Sequence, residues 1–218
     1  MSSETLTLHY FDIQARGEAA YLIAVQGGIH VVRNLFEDLP SDLKSLCPFG
    51  QVPMLEIKNE QGTKRLAQSI AICQYLAKKG SLIPDDDFDQ SVALQYVLGV
   101  DEFRSGVYRA YYSGKEASVA KKEWKEGGMI NYLNRFEGFL EKAESGDHLY
   151  LVGGKLSWAD IVLYDALVEQ SFMLEEGHLW SKYPRLLKAK QNIESLPNIK
   201  NYLESGKQPA LYIENWRK

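Results

Sequence analysis

Leu6, Leu8 and Tyr10 share one side of residues 5–11, the period-two pattern of a half-buried strand. The period then changes. Residues 17–25 are apolar at helical spacing and stop at Gly27 and Gly28, a helix C-terminal signal. "HVVRNLF" predicts a second strand, and "DLPSDLKSLC" a short helix or turn. "MLEIKNEQGTKRLAQ" predicts a hairpin that turns across residues 59–62. "SIAICQYLAKKG" is a helix closed by Lys78, Lys79 and Gly80, with the two charges suited to its negative end. The predicted order up to Ile83 is β-α-β-α-β-β-α.

"LIPDDDFD" is a polar break that contains a proline, and strand signals vanish after it. Val92, Tyr96, Val100, Phe103 and Val107 form one helical stripe; Ile130, Leu133, Phe136 and Leu140 form another. A further helix opens at "LSWADIVLYDAL", where Ser157 and Asp160 have the spacing of a capping box and Leu156 with Ile161 that of a hydrophobic staple. The expectation is an α/β domain over residues 1–83 and an all-helical domain over residues 84–218.

Composition narrows the function. With 45% hydrophobic and 25% charged residues, the chain reads as an ordinary globular protein. A net charge of −4 leaves no basic face for nucleic acid or a membrane surface. Residues 1–83 are neutral, so the second part carries the whole excess. The apolar run at residues 19–25 is far too short to span a bilayer, and no signal-peptide pattern precedes it. Cys47 and Cys73 form no CxxC and suit a reducing, cytoplasmic setting. The four histidines share no metal-ligand spacing, so no metal site is expected.

Three features of the first domain converge on chemistry. Pro53 stands just before a strand, where it cannot donate to a ladder. Gln68 and Ser69 stand at a helix start, where unpaired N–H groups and the positive dipole end attract a carboxylate. Tyr10 and Arg16 flank the turn after the first strand. Taken singly, Ser69 is also read as a plain cap and Tyr10 as a core or rim residue.

"YFDIQARGE", "PFGQVPMLE", "QSIAICQYLAKK" and "LSWADIVLYDAL", in this order and spacing, resemble the cytosolic glutathione transferases across essentially the whole chain. The likeness is nearest to the sigma-type branch that includes the glutathione-dependent prostaglandin D synthases. The resemblance implies a thioredoxin-like first domain with Pro53 in cis, an all-α second domain, glutathione as co-substrate and a homodimer. It also implies that Tyr10 donates a hydrogen bond to the glutathione thiolate, aided by Arg16. Val52 would pair with the cysteinyl unit, Gln68 and Ser69 would hold the γ-glutamyl carboxylate, and Lys44 and Gln51 the glycyl end. Asp101 resembles the acid that reaches the γ-glutamyl amine across the dimer interface, with Glu102 an adjacent alternative. Two departures stand out. Leu39 and Pro40 occupy a region where the branch often has a Trp before the glycyl-binding Lys, and Gln14-Ala15-Arg16 replaces a common Arg-Gly-Arg.

For the electrophile, Phe11 and Ile13 are expected to form an apolar floor. Arg104, Tyr108 and Tyr111 fall on one face of the first long helix of the second domain. They are read either as an acceptor-facing stripe that favours anionic electrophiles, or as a solvated Arg beside core tyrosines. Trp216 is a candidate to close over the pocket, and Phe49 an apolar anchor between copies or a core residue. The leading expectation is conjugation of glutathione to small hydrophobic electrophiles. A glutathione-dependent isomerase and a non-catalytic ligand-binding or structural protein are the alternatives. Thiol–disulfide exchange is set aside because the first turn holds no cysteine.

Overall fold

The computed structural model describes residues 4–143, 149–173 and 179–211. Its elements run β1 (Thr5–Phe11), α1 (Glu18–Gln26), β2 (Val31–Phe36), α2 (Ser41–Leu46), β3 (Met54–Asn59), β4 (Gly62–Ala67) and α3 (Ser69–Lys79). Then follow α4 (Asp87–Tyr111), α5 (Ala117–Trp124), a π-helical turn (Lys125–Met129) and α6 (Ile130–Ala143). α7 (Trp158–Met173), α8 (Leu179–Lys182), α9 (Pro184–Ser195) and α10 (Pro197–Glu204) complete the order. Two compact units result, divided after Leu82.

In the first unit β1 is central, parallel to β2 and antiparallel to β3, in the strand order β2-β1-β3-β4. Leu6, Leu8 and Tyr10 are all buried, as the alternation requires. The hairpin closes where the Gln61 amide donates to Asn59 Oδ1 at 2.9 Å. α1 and α3 meet at their C-terminal ends, where a Cβ on Gly27 would lie 2.7 Å from the Gly80 Cα. Neither glycine has a positive φ. They are needed for this close backbone approach, more than for the helix stop that the sequence suggests.

α10 also belongs to this unit, although the sequence assigns everything beyond Ile83 to the helical domain. Ile199 and Tyr202 are buried, the Tyr202 ring meets Tyr21 edge-on at 5.2 Å, and Asn198 Nδ2 donates to the Gln26 carbonyl at 3.2 Å. The chain returns because α10 is amphipathic and α1 offers it an aromatic partner.

The polar break supplies the cap of the second unit: Asp86 Oδ1 accepts from the Phe88 and Asp89 amides, at 2.9 and 3.0 Å. On α4 the buried face runs through Ala93, Val97, Val100, Phe103 and Val107. The expected stripe is thus right from Val100 onward and one residue out of phase before it. Tyr96 sits half-buried, its ring tilted on Phe139 at 5.1 Å. On α6, Leu133, Phe136 and Leu140 are buried but Ile130 is not, because the π-helical turn resets the phase and puts Met129 inside instead.

The Asp160 side of the α7 capping box forms, and it does more than close a helix. Asp160 Oδ2 accepts from the Ser157 amide (2.8 Å) and hydroxyl (2.9 Å), while Oδ1 accepts from the Leu151 amide at 2.7 Å. Burial pushes the Asp160 carboxyl up to about 6 from 3.8, against the pull of those donors. The folded state therefore binds its proton more tightly than the unfolded chain does. Its contribution to stability must fall as pH rises from about 4 to about 6. Urea unfolding across that range is expected to show wild type losing on the order of 3 kcal/mol relative to Asp160→Asn. Parallel pH profiles for the two proteins would refute this.

Candidate functional site

Strand register gathers the candidate residues at one end of the first unit's sheet. Met54 pairs with His9 on one side and with Ala67 on the other. Tyr10, Pro53 and Gln68 each lie one residue beyond that row. The Val52–Pro53 bond is cis. Gln68 has φ 71°, in the left-handed region, and forms the N-cap of α3 without a side-chain capping bond. The helix's first N–H groups are thus presented by backbone, with Ser69 as the first helical residue and not the cap. A non-glycine residue held in this conformation is a mark of a site where geometry matters more than local comfort.

Tyr10 is 7% exposed, and its ring lies on Gly17. A Cβ at Gly17 would stand 2.5 Å from Tyr10 Cδ1 and 2.8 Å from Cγ, so only glycine leaves the ring where it is. The intervening turn is tightly held. The Asp12 amide donates to the Phe36 carbonyl at 3.0 Å, Ile13 to Phe11 at 2.8 Å, and Glu18 to Ala15 at 3.1 Å. Ala15 sits at φ 128°, and Arg16 is half-buried in the same turn. Phe11 packs edge-on against Phe36 at 5.5 Å. His9, next in the chain, is held neutral by burial, and its Nδ1 accepts from Asn34 Nδ2 at 2.9 Å.

Lys44 is exposed on α2, its Cε 4.0 Å from where a Gly50 Cβ would stand, and Gln51 is exposed just beyond. Cys47 and Cys73 are both free and buried. Burial raises the Cys47 thiol despite Arg65, so this residue is no ready thiolate.

Asp101, Arg104, Tyr108 and Tyr111 lie on α4 of the second unit. Here the structure corrects the sequence reading of Arg104. Its guanidinium is buried between two acids of α7, bonded to Asp165 and 2.6 Å from Glu169 Oε2. The Tyr108 hydroxyl donates to Glu169 Oε1 at 2.5 Å. The guanidinium is thus buried against an acidic pair and not solvated, as one of the two readings from the sequence has it. Tyr111 meets Tyr112 edge-on at 4.8 Å, and Glu102 accepts from Tyr132 at 3.0 Å. Trp216 lies outside the described residues. Sequence reasoning missed Asp165 and Glu169, although two acids four apart in an apolar helix signal a buried partner. It also missed Gly17, for which no local signal exists.

Residues 7–78 match the family described as Glutathione S-transferase, N-terminal domain, and residues 101–206 match Glutathione S-transferase, C-terminal domain. Glutathione S-transferase 1 of Ascaris suum is 34% identical, over 93% of this chain and 97% of that protein. Glutathione S-transferase A of Cavia porcellus is 32% identical, over 92% and 90%. Among solved structures, prostaglandin synthase D of Nilaparvata lugens superposes with a TM-score of 0.77 at 27% identity, over 94% of this chain and 100% of that one.

Proposed function

The chain belongs to the glutathione S-transferase family, and from that premise we propose that Tyr10 keeps the thiol of glutathione in its anionic form. The enzyme transfers glutathione to an electrophilic acceptor. The observation that carries the Tyr10 reading is the convergence of Tyr10, cis-Pro53 and the uncapped α3 start at one sheet end.

When bound, glutathione supplies a sulfur nucleophile that a free thiol, with a pKa near 8.5, offers only as a minor fraction at pH 7. Tyr10 donates a charge-assisted hydrogen bond to that sulfur, and Arg16 adds positive charge beside it. Val52, ahead of the cis bond, offers its main chain to the cysteinyl unit. Gln68 and Ser69 hold the γ-glutamyl carboxylate at the α3 N-terminus. Lys44 and Gln51 take the glycyl end. Phe11 and Ile13 give small hydrophobic electrophiles an apolar surface. Titration of thiolate absorbance tests the reading. A bound thiol well below its free value supports it, and an unshifted thiol overturns it.

The working form is a homodimer in which the partner's Asp101 meets the γ-glutamyl amine, with reciprocity set by two-fold symmetry. Phe49, 65% exposed, is its apolar anchor. The helical unit offers a receptor, a cavity of about 200 Å³ lined by Tyr96, Gly99, Phe136 and Phe139. Phe49→Ser is expected to sediment as a monomer and to show at least a ~10-fold higher KM for glutathione, having lost a central aromatic anchor and the partner's acid. A dimeric Phe49→Ser with unchanged KM removes both assignments. No helix among the described residues is long and apolar enough to cross a membrane. The two buried free thiols support a cytoplasmic setting.

A further inference from the structure

The turn between Tyr10 and α1 is pinned from the far end of the chain. The Gln14 amide donates to the Ala210 carbonyl and Gln14 Nε2 to the Pro209 carbonyl, both at 2.8 Å, while Ile13 bridges Ala210 in parallel. That strap is in turn tied to the sheet by Arg33 of β2, whose Nη2 donates to the Lys207 carbonyl at 2.6 Å. Arg33 Nη1 also donates to Tyr202 Oη at 3.0 Å and stands 3.8 Å from Glu18 Oε2. The Tyr202 hydroxyl donates to Glu18 Oε1 at 2.8 Å, and the guanidinium lies 4.1 Å over the Tyr21 ring. Glu18 is buried and directly follows Gly17, the residue on which the Tyr10 ring rests.

We infer that residues 207–210, locked through Arg33, are a positioning device that holds the Tyr10 turn in its working shape. Three observations converge on this. Ala15 is at φ 128°, a conformation that a turn does not keep without outside restraint. Among the described residues, the Gln14 amide and side chain both donate to the strap. The buried Glu18 carboxylate, beside the ring-bearing glycine, has Arg33 and Tyr202 as partners, and Tyr202 stays protonated because burial and then Glu18 push its phenol up. The strap therefore acts on both sides of Arg16, through Gln14 before it and Glu18 after it. These residues touch neither thiol nor acceptor. They act through Tyr10 and Arg16, and their catalytic consequence rests on the thiolate role proposed for Tyr10.

The test uses full-length Arg33→Met and Gln14→Leu, with amide hydrogen exchange of residues 12–18 and titration of bound glutathione on the same samples. Exchange is expected to rise about ten-fold or more in Arg33→Met and by less in Gln14→Leu. The bound thiol should shift upward and kcat fall about ten-fold, with KM for glutathione moving less than about three-fold, because Gln68 and Ser69 lie on a different element. Unchanged exchange in folded variants overturns the inference, whatever the thiol does. Faster exchange with an unmoved thiol overturns it too, provided the wild-type thiol is shifted. If the wild-type thiol itself is unshifted, the Tyr10 reading fails alone, and faster exchange still supports the strap. Should Arg33→Met not fold, Gln14→Leu, which keeps the Glu18 cluster whole, decides.

Discussion

Tyr10→Phe is expected to raise the thiol pKa of bound glutathione by about two units and to lower kcat/KM about 100-fold. The two figures are one effect seen twice. Two units correspond to roughly 2.7 kcal/mol of preference for the anion, the scale of a lost oxyanion donor in a site shielded from water. The substitution removes only the hydroxyl. The ring contacts with Gly17 and with Phe11, whose centroid lies 5.6 Å away, do not use the hydroxyl, and urea unfolding of Tyr10→Phe is the control for structural collapse. Arg16 is the real competitor. If its charge supplies most of the stabilisation, Tyr10→Phe will cost well under ~10-fold and Arg16→Leu will cost more. The thiol pKa of bound glutathione in the two variants separates these cases, and kcat above and below the new thiol pKa separates a lost thiolate from a lost position. A lost thiolate is restored at high pH, whereas a lost position is not.

Local periodicity made the elements from β1 to α3 legible almost entirely. Leu6, Leu8 and Tyr10 announce β1, and the 59–62 turn announces the hairpin, because strands and tight turns are written in neighbouring residues. Tyr10, Pro53 and Gln68 are separate weak signals, joined in the sequence by the family resemblance and in the structure by strand register. What stayed illegible depends on distance along the chain. Gln14 reads as a plain turn residue, and nothing near it names Pro209, 195 positions on. Gly17 reads as a helix opener, while its function is to leave space for a ring seven residues earlier. α10 carries an ordinary amphipathic pattern that does not say which unit it covers. The phase error at Val92 and Tyr96 has the same root. Both faces of early α4 carry apolar residues, and only packing chooses between them.

Arg104→Met is expected to destabilise the helical unit by about 3–5 kcal/mol, measured as a shift in the urea midpoint at pH 7. Burial disfavours the Arg104 charge, yet Glu169 and Asp165 outweigh it and hold its pKa well above the ordinary value. Removing the cation leaves two carboxylates buried side by side without the guanidinium they share, while Tyr108 still donates to Glu169. Each then retains a proton more readily folded than unfolded, so the variant should regain stability as pH falls toward ~4, opposite to ordinary acid unfolding. Replacing Asp165 and Glu169 by Leu together with Arg104→Met should recover most of the loss, because the cost lies in the unpaired charges and not in the missing bond. This outcome would establish Arg104 as the pin between α4 and α7. A variant as stable as wild type that discriminates less between anionic and neutral electrophiles would return Arg104 to the acceptor pocket. Two acids at bonding distance from one buried guanidinium argue for the pin.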